Sequence, residues 1–370
     1  MTTLANVLDK LTTGGELYEK LEEGALRCVA CAHRCKINPG KRGICQVRFN
    51  VDGELRVPWG YVAALQADPI EKKPFSHFLP GATALTFGML GCDFHCGYCQ
   101  NWLTSQALRD SASDVAVNLV QPVSPGDLVK AAQRAHADVI VSSYNEPLIT
   151  SEWAVSVFKE AKAAGLLCAF VSNGNATPEA LEYLRPYLSA YKVDLKSMQA
   201  KNYRSLGGVL QNVLDTIQRA HALGLWVEVV TLLVPGFNDS NEELFEIARF
   251  LGSVSKDIPW HVTAFHKDYK MTAPNNTPPE TLVRAAEIGK EAGLQYVYAG
   301  NLPGRVDEYE DTRCPGCNKV LVRRRGYVVR EYHINAQGAC PSCGAKIPGI
   351  WPENPHSVRI NAERSPLRVY

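Results

Sequence analysis

A parallel α/β sheet or barrel between two small cysteine-stapled modules is the fold class that this 370-residue sequence predicts, on three observations. From residue 82 to about 300, short apolar runs alternate with amphipathic stretches of helix length, the pattern of buried parallel strands and their crossover helices. Twelve cysteines fall into clusters at 28/31/35/45, 92/96/99 and 314/317/340/343, with Cys168 left over. The expected strands end in polar residues, and ligands of parallel α/β folds bind beyond the carboxyl ends of the strands.

The chain is long enough for about two domains and a sizeable core. A formal net charge of +1 gives no general case for nucleic acid or an acidic membrane surface. The start, Met1-Thr2-Thr3-Leu4-Ala5-Asn6-Val7, lacks the basic head and apolar core of a signal peptide. No apolar run approaches bilayer-spanning length. A cytoplasmic protein is expected, and there cysteine clusters signal metals more than disulfides.

Residues 1–80 are expected to form the N-terminal module and a linker. Cys28, Cys31, Cys35 and Cys45 are interleaved with Pro39, Gly40 and Gly43, which reads as a loop-rich unit that a metal must staple. Zinc or another structural role is the favoured reading of this quartet, and a second iron–sulfur cluster is the alternative. The segment from Glu71 to Gly81 reads as a linker packing onto the next domain.

Residues 81–305 are expected to form the barrel, with strands over 82–89, 138–143, 166–172, 190–194, 225–234, 260–265 and 294–299. Ser124-Pro125 and Thr177-Pro178 place a capping hydroxyl before proline at the first helical position. Ser240-Asn241-Glu242-Glu243 and Thr277-Pro278-Pro279-Glu280 each fit a capping box. Cys168 lies in an apolar run and is expected in the core.

The first expected strand leads into Gly91-Cys92-Asp93-Phe94-His95-Cys96-Gly97-Tyr98-Cys99, a C-x3-C-x2-C loop. Soft thiolates select iron–sulfur clusters or zinc. A cubane cluster takes four cysteine ligands, so Cys92, Cys96 and Cys99 leave one iron open for a substrate or cofactor. The alternative is a zinc site completed by His95 or a distant residue, although His95 sits inside the loop between two of the ligands. Later strand ends supply Asn145-Glu146, Ser172-Asn173-Gly174, Asp194-Leu195-Lys196, Glu228, and a histidine pair, His261 and His266. Their convergence on one face reads as a ligand site.

These motifs resemble those of the radical S-adenosylmethionine (SAM) superfamily, and more narrowly the radical SAM enzyme of the AmmeMemoRadiSam system, a branch similar to the pyruvate formate-lyase activating enzymes. The resemblance implies a partial (β/α)6 radical SAM barrel with a small N-terminal four-cysteine metal-binding module and a C-terminal zinc ribbon. It implies a [4Fe-4S] cluster on Cys92, Cys96 and Cys99, with SAM on the open iron. Asn145-Glu146 stands at the activases' Gly-Gly-Glu motif, with Glu146 expected to hold the methionine amino group. Asn145 is likewise a candidate SAM contact. Ser172-Asn173-Gly174 resembles their Thr-Asn-Gly near the ribose and methionyl end, with Ser172 and Asn173 expected to bond the SAM ribose hydroxyls or carboxylate. Asp194-Leu195-Lys196 resembles their Asp-x-Lys, and His266 their late histidine. Tyr98 is expected near the adenine, over the cluster, or simply in the core. Asp194, Lys196, Glu228 and His266 are the candidate catalytic residues. Asp194 and Lys196 are equally candidates for SAM binding. Val171 occupies the position where activases carry a carboxylate that helps bind a monovalent cation.

Residues 306–370 are expected to form the last module. Cys314-x2-Cys317 and Cys340-x2-Cys343, separated by strand-like runs at 320–322 and 327–329, read as a zinc ribbon with a closed coordination shell. Arg323-Arg324-Arg325 reads as a solvated turn more readily than as a nucleic-acid contact.

The expected function is reductive cleavage of SAM to a 5′-deoxyadenosyl radical that abstracts hydrogen from a protein, peptide or small molecule. Glycyl-radical-enzyme activation is the alternative within that class. A metal-stapled scaffold, electron relay or nucleic-acid binder is the alternative outside it. The implied partners are an electron donor such as flavodoxin or ferredoxin, and AMMECR-type and Memo-type proteins.

Overall fold

The computed structural model describes residues 3–362 and 367–368. A mixed sheet runs through its centre. In chain order its strands are β1 (Ala64–Pro69), β2 (Thr83–Gly88), β3 (Val139–Ser142), β4 (Leu167–Ser172), β5 (Ala190–Asp194), β6 (Trp226–Leu233), β7 (Trp260–Ala264) and β8 (Val297–Gly300). They lie side by side in that order, with β2 to β8 parallel and β1 antiparallel to β2. Leu367–Arg368 pairs onto the outer edge of β1. All seven expected strands are present within two or three residues of their expected limits. The sheet takes two strands more from the chain than the sequence indicated: the short Leu367–Arg368 edge and Ala64–Pro69, which lies within the expected N-terminal segment. That stretch has no β-branched residue, so pairing with β2 and not local propensity makes it a strand.

Crossover helices cover one face: α1 (Pro125–Arg134), α2 (Ser151–Ala163), α3 (Pro178–Leu184), α4 (Leu210–Ala222), α5 (Asn241–Val254) and α6 (Pro279–Glu291). Ser124 caps α1 in a full capping box with Asp127, and the Thr177 hydroxyl caps α3. Ser240 caps α5, but the Glu243 side chain bonds Met198 N and Gln199 Nε2 instead of closing a box. The expected box at Thr277 does not form. Pro278 is the cap residue of α6, and Thr277 Oγ1 donates to Leu233 O while accepting from Phe265 N. The hydroxyl thus ties two strand ends together, which satisfies more buried backbone than capping would.

The other face of the sheet is plugged. Ile70, Phe75 and Phe78 of the 70–81 segment pack on Ala84, Val139, Val141, Ala169 and Ala190. Small residues on the strands make room for the two rings, whose burial stabilises by about 1.5–3 kcal/mol each. Cys168 is fully buried in the main core, as expected.

Two small sheets carry the N-terminal module: Thr12–Gly14, Glu54–Pro58 and Phe49–Val51, and Tyr18–Lys20, Leu26–Cys28 and Lys36–Ile37. The last module holds Thr312–Arg313, Val320–Arg325 and Val328–Tyr332, with its own core of Tyr296, Tyr298, Leu321, Val322, Val329, Ile334 and Ile347. No helix among the described residues is long and apolar enough to cross a membrane.

Candidate active site

The cysteine loop starts where β2 ends. Gly88 is required there, since a Cβ would come 2.5 Å from Ser143 O at the end of β3. Gly91, at φ +99°, donates to Thr104 O and accepts from Glu146 N, which turns the chain into the loop. Backbone bonds from His95 N to Leu206 O and from Lys270 N to Gly97 O, both 3.0 Å, pin the loop from two sides. Cys92, Cys96 and Cys99 are free thiols, Cys96 buried and the others half-buried. Phe94 N donates to Cys92 Sγ at 3.4 Å, a bond of the kind that tunes cluster sulfurs. His95 is exposed, and its ring lies so close over Gly207 that a Cβ there would sit 2.4 Å from it. It faces the end of the 200–206 helix, so His95 is not placed as the fourth ligand of a zinc site on this loop.

Beneath the loop lies a buried acidic and amide network. Asp93, fully buried, accepts from Asn173 Nδ2 at 2.7 Å and Asn175 Nδ2 at 2.8 Å. Glu146 accepts from Ser172 Oγ and Asn173 N at 2.7 Å each, and from Leu148 N at 3.1 Å. Tyr191 OH donates to Ser172 Oγ at 3.0 Å. Burial and then the nearby Asp93 carboxylate push the Glu146 carboxyl up to about 8. Asn145 Oδ1 accepts from Met89 N at 3.0 Å, joining this strand end to the loop. The Ser172 hydroxyl and the Asn173 amide, expected to bond SAM directly, here hold the two carboxylates in place.

A second group stands on β5. Asp194 pairs with Lys192 and with Lys196, the latter at 3.5 Å. Burial opposes the charge of Lys196, but Asp194 and then Cys96 and Tyr98 keep it well above the usual lysine range. A half-buried ammonium therefore lies by a candidate cluster ligand. Tyr98 is buried and packs edge-on to Phe237 at 6.0 Å.

Two candidates fall elsewhere. Glu228 sits near the start of β6, and its carboxylate is fully engaged: it accepts from Ser76 N, His77 N and Trp226 Nε1 at 2.9 Å and pairs with His261 Nε2 at 2.6 Å. Burial would raise its pKa, but His261, His77 and these donors hold it below the usual carboxylate range. It clamps the 70–81 segment onto the sheet and has no free acceptor for chemistry. His266 is exposed beyond β7, away from the acid network. It helps line a cavity of about 340 Å³ between the barrel and the last module, with Gln100, Thr263, Tyr298, Arg324 and Tyr327.

Sequence reasoning missed Asp93, Asn175 and Lys192. A carboxylate inside a loop of cysteines and aromatics was the available signal for Asp93. Asn175 stood in the polar stretch that follows β4, and that stretch was its signal; Lys192 carried none, because strand pairing alone turns it inward.

Cys314, Cys317, Cys340 and Cys343 bring their sulfurs within 4.8 Å of one another, and no other group of three or more Cys, His, Asp or Glu ligand atoms among the described residues does so. Tetrahedral thiolate coordination at about 2.3 Å needs sulfurs about 3.8 Å apart, so this is a closed metal site.

The cysteine loop lies within the part of the chain that matches a known family. Residues 87–251 match the Radical SAM superfamily. An uncharacterized protein of Methanocaldococcus jannaschii is 35% identical over 333 residues, covering 89% of this chain and 97% of its own. The pyruvate formate-lyase-activating enzyme of Staphylococcus epidermidis is 26% identical, covering 60% of this chain and 92% of its own. A domain of the pyruvate-formate lyase-activating enzyme from Bacteroides vulgatus aligns with a TM-score of 0.39 and 20% identity, over 44% of this chain and 98% of its own. A three-cysteine loop after the first parallel strand, with buried polar groups converging beneath it, places this chain in the radical SAM superfamily of enzymes.

Proposed function

We propose that the chain is the radical SAM enzyme of an AmmeMemoRadiSam-type system, which cleaves SAM reductively and abstracts hydrogen from a protein, peptide or small-molecule substrate. The observation that carries this reading is the donor set: three free thiols on one loop, whose entry at Gly91 O accepts from Glu146 N. Those residues fit a cluster with one open iron. Such a cluster, when bound, holds SAM and supplies the electron that splits its C5′–S bond into methionine and a 5′-deoxyadenosyl radical.

The chain's own groups position and exclude. Glu146, held by Ser172 and Asn173, pairs with the SAM ammonium, whose positive charge favours the carboxylate that burial and Asp93 alone would keep protonated. Asp93 and its two amides keep the loop from relaxing. Lys196 offsets negative charge beside Cys96, and Asp194 orients Lys196. Tyr98 and Phe237 shield the loop from water, which a carbon radical requires. The cavity reached by Gln100, just after Cys99, and by His266 is the substrate pocket in this reading. Electrons come from a flavodoxin- or ferredoxin-type donor, and AMMECR-type and Memo-type proteins are the pathway partners. Likeness to activating enzymes supports a second reading, in which a glycyl-radical protein is the substrate.

Anaerobic reconstitution with iron and sulfide, followed by dithionite and SAM, is expected to release 5′-deoxyadenosine from the wild type and none from Cys96→Ala. Absence of SAM binding by the reconstituted wild type would overturn the assignment. A substrate glycyl radical seen by electron paramagnetic resonance would select the activase reading.

A further inference from the structure

The N-terminal quartet is docked on the cysteine loop itself. Ala32 N donates to Asn175 O at 2.8 Å, and the other end of Asn175 bonds Asp93. Thr177 Oγ1 donates to Val29 O, and Arg109 bridges Ile44 O, beside Cys45, to Phe94 O in the loop. Between the two sets of thiols lies a short polar path. Cys92 Sγ is 3.8 Å from Asp93 Oδ1, and Asp93 Oδ2 is 3.9 Å from Nε2 of His33, which stands between Cys31 and Cys35. That Nε2 is buried and has no hydrogen-bond partner.

The sulfur spacing of the quartet differs from that of the last module. There Cys314 Sγ lies 3.4 Å from Cys343 Sγ and Cys317 Sγ 3.7 Å from Cys340 Sγ, as zinc requires. No three of Cys28, Cys31, Cys35 and Cys45 come within 4.8 Å of one another, and neither do Cys92, Cys96 and Cys99. A cubane spreads its thiolates wider than zinc does, since each bonds a different iron. Ile44 N donates to Cys35 Sγ at 3.5 Å, repeating the Phe94-to-Cys92 bond. Cys28, Cys31 and Cys45 are buried, and Cys35 is half-buried toward the surface.

We propose that Cys28, Cys31, Cys35 and Cys45 hold a second iron–sulfur cluster that passes single electrons to the loop cluster past His33 and Asp93. Four ligands close its coordination, so it binds no SAM and transfers electrons only. Each transfer takes one electron from a low-potential one-electron donor protein, oxidising that donor, and gives it to the loop cluster. The relay role rests on the proposed function; the metal assignment does not.

Metal analysis of the full chain, reconstituted anaerobically, is expected to find about eight iron and about one zinc. About four iron with about two zinc overturns the proposal without recourse to any variant. Cys35→Ser is expected to lose about half the iron and keep its zinc. Cys96→Ala should keep about four iron, with a paramagnetic signal, after dithionite reduction, that SAM does not perturb. A Cys96→Ala chain without iron overturns the second cluster. If the wild type holds about four iron that Cys96→Ala retains and Cys35→Ser loses, the second cluster stands and the proposed SAM chemistry falls.

Discussion

The two cysteine quartets near the ends of the chain use the same four thiols and build different sites. The C-terminal one gathers its sulfurs within 4.8 Å on two turns, with Cys317 and Cys343 exposed and a small separate core behind them. The N-terminal one keeps its sulfurs farther apart, buries three of them, and places Cys28 and Cys45 in the same apolar cluster as the sheet. Ligand count therefore says less than spacing and burial. A tight exposed set serves as a staple, whereas an open buried set against another cysteine loop suits redox chemistry.

Removing the C-terminal metal should show the largest effect. Structural zinc sites bind with about 10–16 kcal/mol that is also folding energy. Cys314→Ser with Cys340→Ser is expected to unfold residues 312–347, opening them to limited proteolysis while the barrel keeps its helical circular dichroism. Equal protease resistance in variant and wild type would mean that the small core, not the metal, holds this module.

The N-terminal module is held by a buried ion pair. Arg48 forks onto Glu152 of α2 at 2.7 and 2.8 Å, while Glu152 also accepts from Glu16 N and Leu17 N. Arg48→Met leaves a buried carboxylate uncompensated and is expected to cost about 3–5 kcal/mol, read from the urea midpoint. Arg48→Met with Glu152→Leu should recover much of that loss. A single variant as stable as wild type would move the attachment of this module to its backbone contacts.

A smaller effect comes from pH, at the joint between the linker and the last module. His77 is fully buried between Pro348 O and Tyr298 OH, both 2.6 Å from its ring nitrogens, and burial pushes its pKa down to about 4. The fold favours the neutral ring. Its contribution is thus complete above the ordinary value of about 6.5, declines as pH falls and is gone near 4, a loss of about 3 kcal/mol. His77→Phe is expected to be less stable at pH 7 and to show a flatter stability profile between pH 6.5 and 4. Parallel profiles for the two proteins would remove His77 as the cause.

Much of the architecture was legible because its signals are local. Runs such as Val139-Ile140-Val141 and Val227-Glu228-Val229 carry strand propensity wherever they lie, and the C-x2-C knuckles carry their own spacing. Ser124 and Thr177 cap helices because the proline after each fixes the backbone. Ala64–Pro69 was not legible, since only its partner β2 makes it a strand. Glu228 was misassigned for a related reason. Its place on a strand was readable, but the donors from Ser76, His77, Trp226 and His261 that occupy it come from three separate segments.

The sequence by itself determined the ligand chemistry: which thiols exist, how they are grouped, and that the strand leading to Glu146 and the strands carrying Ser172 and Asp194 run parallel through buried positions. Tertiary structure decided how those groups are used. It set Asp93 against Asn173 and Asn175, turned Ser172 toward Glu146, withdrew Glu228 into a clamp, and seated the N-terminal quartet on the loop. The physical reason is that a buried polar atom must find its partner across the fold, and neither composition nor periodicity encodes which distant donor will reach it.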